Sequence, residues 1–328
     1  MSDINKFEWF GHHKLLRIIT ISGIMVNEEP IRVGAGLSKA TFGPTDLTVL
    51  KVVKADGKEL PVVPGSSFKG MLRATCIYML RALGLNVCDG IVKATCLTGN
   101  EFNEIEERKL SAEMEVTEKI KQIVNATVGK EKRHVCPLCL LFGAPGLASH
   151  IEFMDSYPIS DFKLGYRTCV AIDRRKGSSA RRSLFTVEYV EPDCRWNFEF
   201  KVENVPNYLL GLVLDAIELV NAGLIKLGGM KSRGFGKIKI ELDKVSIFSL
   251  NHRQYGIVDG KLQPLDPIDK PVNWSGTLKE LTAETEGKDA KKFIENLRTT
   301  WHSSLTELRK CHKNGKWIWM EALKDVNT

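Results

Sequence analysis

Residues 195–242 read RWNFEFKVENVPNYLLGLVLDAIELVNAGLIKLGGMKSRGFGKIKIEL, and three patterns follow one another in them. Trp196, Phe198, Phe200 and Val202 alternate with Arg195, Asn197, Glu199 and Lys201, the period of a strand with one buried face. In NYLLGLVLDAIELVNAGLI (207–225), Leu209, Leu212, Val213, Ala216, Leu219 and Val220 share one face at helical spacing, and Gly223 loosens the end. Ile238, Ile240 and Leu242 then alternate with Lys237, Lys239 and Glu241, which predicts a second strand.

The first half of the chain carries a matching set. KLLRIITISGIMV (14–26) is rich in β-branched and aliphatic residues and predicts a largely buried strand. After PVVPGSS, the residues Phe68, Leu72, Cys76, Met79, Leu80 and Leu83 recur at helical spacing, with Ser66 or Ser67 able to cap the first turn. A short strand near HIEFMD (150–155) completes the order β-α-β-β-α-β. That order predicts an α+β, ferredoxin-like palm over 1–263, broken by insertions at about 85–149 and 157–194. Residues 101–133 hold eight acids and seven bases, the composition of a solvated helical insertion. PLDPIDKP, with Pro264, Pro267 and Pro271, predicts a stiff linker into a C-terminal helical appendage (264–328) bearing Trp301, Trp317 and Trp319.

The bulk properties fit such a molecule. The chain has 328 residues, 43% hydrophobic and 27% charged, which excludes fibrous and wholly disordered classes. Its 47 bases against 40 acids leave +7, enough to permit an anionic partner. No run of about 18 uninterrupted apolar residues could span a bilayer. The start, MSDINKFEWFGHHK, has charges and aromatics where a signal peptide needs an apolar run, so a cytoplasmic location is expected and clustered cysteines read as metal ligands.

HVCPLC places His134, Cys136 and Cys139 within six residues, with Cys96 or Cys88 upstream as a fourth ligand. Thiolate and imidazole suit zinc, and four such ligands close a tetrahedron, so the site is expected to be structural. A redox CxxC is the rival reading, disfavoured by the adjacent histidine and the extra cysteines.

Two glycine-bearing stretches and a basic arm come next. PGSSFKGML (64–72) has the GxxxxG spacing of a phosphate loop, but Met71 stands where the lysine should be, which excludes a nucleotide-triphosphate loop. LGGMKSRGFGK (227–237) carries Gly228, Gly229, Gly234 and Gly236 around Lys231 and Arg233. It reads either as a phosphate-approaching loop or as a tight helix-to-strand turn. AIDRRKGSSARRS (171–183) sets Arg174, Arg175, Lys176, Arg181 and Arg182 against one acid, the pattern of a hairpin arm with a basic tip fit for backbone phosphates. Two such loops on a ferredoxin-like scaffold favour single-stranded RNA. Asp46, in FGPTD, reads by itself as a turn former, and His12 and His13 as exposed residues.

Taken together, IRVGAGLSKATFGPTDLTVLKV, LPVVPGSSFKGMLR, HVCPLCLLFG, AIDRRKGSSARRSLFTVEYV and LGGMKSRGFGKIKIEL resemble, in order, the RAMP superfamily of CRISPR-associated proteins, and specifically the backbone subunit of type III effector complexes. The resemblance covers roughly residues 14–248. It implies an RNA-recognition-like palm, a zinc-bearing insertion and a β-hairpin thumb, in subunits that stack along a guide RNA. It further implies guide-phosphate contacts at Ser66, Ser67, Lys69 and Arg73, a second phosphate loop at Gly229–Gly236, and a thumb bearing Arg174–Arg182. Asp46 falls where the family's target-cleaving aspartate lies, so metal-dependent cleavage of target RNA with Mg or Mn is expected. Guide CRISPR RNA, target RNA, neighbouring copies and other type III subunits are the expected partners, with no membrane. A non-catalytic backbone subunit and a guide-processing endoribonuclease of the same superfamily are the rival readings.

Overall fold

The computed structural model describes residues 8–34, 47–90, 96, 127–128, 131–132, 135–145, 147–173 and 178–319. The principal elements are β1 (Ile18–Asn27), α1 (Gly65–Ala82), α2 (Pro137–Phe142), β2 (Ile151–Phe153), β3 (Leu164–Asp173), β4 (Ser178–Val190), β5 (Arg195–Glu203), α3 (Asn207–Asn221), β6 (Ile238–Phe248), β7 (Thr277–Leu278), β8 (Thr282–Glu286) and α4 (Gly287–Lys310).

The alternation in the sequence becomes one sheet in the order β7-β8-β6-β1-β5-β2, with every adjacent pair antiparallel. Within the palm set β1-α1-β2-β5-α3-β6, the fourth, first, third and second strands lie side by side, an order compatible with the ferredoxin-like arrangement. Ile21 of β1 faces Phe200 on one side and Val245 on the other, and Met25 faces Trp196 and Ile240. All six are buried, so the period-two pattern of three strands makes continuous apolar rows. α1 lays Phe68 edge-on against Phe198, ring centroids 5.1 Å apart.

α3 is buried nearly all round, because Leu210, Leu214 and Ile217 are as enclosed as the face read from the sequence. Its outer side is covered by α4. The two helices meet at Gly211, where a Cβ would lie 2.8 Å from that of Trp301 and closer still to the Leu297 carbonyl, so no larger residue fits.

Residues 264–271, expected as a linker, are bonded to the start of α3. Asp269 accepts the amides of Asn207 (3.0 Å) and Tyr208 (3.3 Å), satisfying donors that a helix start leaves open. Asp266 accepts from Trp9 Nε1 (2.9 Å) and from the Tyr208 hydroxyl (3.0 Å). Fully buried Arg17 donates to the carbonyls of Val205 (2.7 Å) and Gln263 (2.6 Å) and to Asn207 Oδ1 (2.8 Å). Burial raises both carboxyls, Asp266 to about 7 with help from the charge of Asp269, and Asp269 to about 6 against the opposing pull of Arg17. The C-terminal segment thus supplies the expected helix and also two strands, β7 and β8, that extend the palm sheet.

β3 and β4 form the expected hairpin, from the pair Leu164 and Val190 to the pair Asp173 and Ser178. Arg174, Arg175 and Lys176 lie outside the described residues, as do the side chains of Arg181 and Arg182, whose backbone is in β4. Most of the insertion expected at 85–149 is also outside them. Among the described residues, no helix is long and apolar enough to cross a membrane.

Candidate functional site

α1 begins directly after Pro64, whose fixed backbone angle suits a helix start. The Gly65 amide donates to Asp155 Oδ1 at 2.8 Å, so a carboxylate from outside the helix already offsets its positive end, although the first turn itself carries no acid. Ser66, Ser67, Gly70, Met71, Ala74 and Tyr78 follow along one side of α1 and line a groove of about 980 Å³. At 3.6 residues per turn, Lys69 and Arg73 project from a different flank and are not among its lining residues.

The facing wall is the loop 223–232, and it owes its shape to hydrogen bonds within the protein. Leu227 donates to the Gly236 carbonyl (2.8 Å), Gly236 to Pro30 (2.9 Å) and Gly229 to Arg32 (2.8 Å). Gly228 has φ +82° and sits so close to the Arg32 carbonyl that a Cβ has no room. The amide of Gly229 is therefore committed to Arg32, and what this glycine offers a ligand is space. Lys231 and Ser232, in a single 3-10 turn, complete the wall. The helix start and the glycine-rich loop, far apart in the chain, share one groove.

Arg32 is the groove residue the sequence reading missed. Its guanidinium lies beside Gly34 and Gly229, its Nε has no hydrogen-bond partner among the described residues, and burial lowers its pKa from the usual arginine value. Among the described residues no carboxylate pairs with it. The signal was present in IRVG, where buried Ile31 and Val33 flank Arg32 and strand alternation turns it to the opposite side. The other lining cation besides Lys231 is Lys226, which is held by both oxygens of Glu29 at 2.6 and 2.9 Å. Among the described residues, no aspartate or glutamate lines the groove.

Arg233 and Gly234 are exposed at the loop's end, and Arg233 stands over the ring of Phe185 in the hairpin (5.8 Å). Arg167 of the hairpin answers it, lying 4.7 Å from the ring centroid of Phe235 and donating to the Arg233 carbonyl at 3.5 Å. Loop and hairpin are thereby joined. Asp46 lies outside the described residues. Leu47, next in the chain, lines the groove and donates to the Thr186 carbonyl at 3.2 Å. Buried Glu188 anchors the same segment by accepting from the Val49 amide (3.0 Å) and Lys51 Nζ (2.8 Å).

On the far flank of α1, Cys88, Cys96, Cys136 and Cys139 bring their Sγ atoms within 4.8 Å of one another. Both upstream cysteines are present, so four sulfurs converge; His134 lies outside the described residues. Sulfurs at 2.3 Å around a tetrahedral zinc stand about 3.8 Å apart, so this set fits that ion. Hydrogen bonds with Cys136 and Cys139 push the thiols of Cys88 and Cys96 up. Cys136 is held well below the ordinary thiol range by bonds from the other three, against the opposing effect of burial. Four sulfurs gathered this closely are what a cation would hold as thiolates. Two tryptophans brace the segment, with Trp319 Nε1 bonded to the Val135 carbonyl (2.8 Å) and Trp317 Nε1 to that of Asn86 (2.7 Å).

An antiparallel α+β palm with a cationic groove and a four-cysteine centre is the class of protein these features define. The model of the RAMP superfamily matches residues 28–239, and the chain belongs to that superfamily. Membership supports a CRISPR-associated RNA-binding role. No curated protein matches the chain.

Proposed function

We propose that this chain is a guide-RNA-binding backbone subunit of a type III CRISPR interference complex that also cuts target RNA. The observation that carries the RNA-binding part is the meeting of the α1 start with the Gly228–Ser232 loop across a groove that holds Arg32 and Lys231 and, among the described residues, no acid. Phosphate oxygens suit such a surface, because serine hydroxyls and two cations with no carboxylate partner among the described residues favour anions. The cysteine centre holds zinc and, being closed by four sulfurs, keeps α2 and the preceding loop in place without touching substrate.

Cleavage in this reading falls to Asp46. Its carboxylate orients the target 2′-hydroxyl and helps hold Mg²⁺ or Mn²⁺, so that O2′ bonds to the adjacent phosphorus while the bond to the leaving O5′ breaks. The hydroxyl proton passes to solvent and the leaving oxygen takes one up, which yields a 2′,3′-cyclic phosphate and a 5′-hydroxyl. The hairpin beside Leu47, levering bases apart, supplies the in-line geometry that a continuous duplex denies.

Purification from the native host with sequencing of co-purified RNA tests the whole reading. Small RNAs of a few discrete lengths sharing a common repeat-derived end are expected, together with other subunits. Protein free of RNA and partners would contradict it.

A further inference from the structure

We propose that the far end of the groove is a seat for one unpaired RNA base, with the ring of Tyr78 as its platform and Leu224 on the facing wall. This rests on the RNA reading above and adds to it a site for a base where that reading has only phosphate contacts. From Ser67 to Tyr78 the helix runs eleven residues, about 16 Å at its usual rise, long enough for more than one nucleotide.

The two ends of the groove differ in chemistry. Along α1 the lining runs from Ser66 and Ser67 at the helix start, through Met71 and Ala74, to Tyr78 three turns on, and the other wall carries Leu224 and Ile225 as well as Lys231 and Ser232. Lys226, next to Ile225, is already paired with Glu29, and Lys237, whose stem lies against Gly223, with Glu28. Cations already paired with carboxylates offer a phosphate little, whereas a base has two faces to cover. Tyr78 is 66% exposed and Leu224 69%, side chains that water disfavours and that a planar ring would enclose. One strand passing through the groove would thus place its backbone at the helix start and a base on the tyrosine, the combination of charged track and aromatic platform that suits single strands of any sequence. Charge complementarity along the same groove argues for RNA as the occupant rather than a second copy of this chain.

The test uses the full-length protein and a fluorescein-labelled single-stranded oligouridylate. Tyr78→Ala should weaken binding about fivefold or more while leaving the salt dependence of affinity unchanged, since stacking releases no counterions. Tyr78→Trp should bind as the wild type does. An oligomer of abasic residues should bind the wild type and Tyr78→Ala equally. Unchanged affinity in Tyr78→Ala, with binding still lost in Arg32→Ala and Lys231→Ala, overturns the seat and leaves the groove reading standing. Should all three variants bind as the wild type does, both fall. A Tyr78→Ala protein that changes its sedimentation without RNA, at unaltered RNA affinity, would overturn the seat in favour of a contact between copies.

Discussion

The guanidinium of Arg73 donates through Nη2 to Sγ of Cys139 at 3.8 Å and through Nη1 to the Gly143 carbonyl at 3.0 Å. It reaches them past Gly90, where a Cβ would crowd Arg73 Nε. Four thiolates around a dication carry two net negative charges, and an arginine bonded to one of them both offsets that charge and fixes the cysteine's orientation.

Arg73→Ala is therefore expected to weaken zinc binding about 10- to 100-fold in competition with a chelator, and to leave the salt dependence of RNA binding unchanged. Unaltered zinc affinity with a shallower salt slope would return Arg73 to the guide-phosphate role that family resemblance implies.

Elemental analysis should find one zinc per chain, lost in Cys88→Ser and in Cys96→Ser alike, because both sulfurs belong to the cluster. Stripping the metal should shift tryptophan emission, since Trp319 and Trp317 hydrogen-bond the segments that carry the ligands. A Cys88→Ser protein that keeps a full equivalent of zinc would contradict the four-sulfur centre.

Much of this was legible in the sequence, for reasons that differ by element. Alternation in 195–202 and 238–242 marks strands because each has one buried face, and the βαββαβ order follows from counting. α3 read as amphipathic because nothing in its own sequence announces that α4 will cover its outer side; Gly211 is the trace of that contact. PLDPIDKP read as a linker because proline spacing says nothing of the donors that Asp266 and Asp269 bind. The run SSFKGMLR looked like one phosphate-binding unit, yet helical rotation sends Ser67 to the groove and Arg73 to the cysteines. Arg32 was missed because a single arginine between Ile31 and Val33 has no motif, and its role depends on a loop nearly two hundred residues away.

The aspartate pair predicts a pH effect with a definite sign. Both folded-state pKa values, about 7 for Asp266 and about 6 for Asp269, lie above the ordinary aspartate value of 3.8. The stability they contribute is full below that ordinary value and is lost as pH rises through 6 to 7, where the buried carboxyls ionise. Carbon-13 carboxyl NMR should show two aspartates titrating near neutrality. Titration of every aspartate below pH 5 would contradict this.

Asp46→Ala should abolish metal-dependent cleavage of target RNA by the assembled complex, while RNA binding and assembly persist, because one carboxylate adds little to phosphate affinity. DNA targets, lacking the 2′-hydroxyl, should survive intact. Cleavage by the Asp46→Ala complex at the wild-type rate would leave a purely structural subunit.

The most direct test is the salt dependence of single-stranded RNA binding, measured for the wild type and for Arg32→Ala combined with Lys231→Ala. Each phosphate contact contributes about 0.7 to the slope of log affinity against log salt for a single strand, so the double variant should bind more weakly with a slope shallower by about 1.4. Wild-type affinity and slope in that variant would contradict the groove as the place where this protein holds RNA.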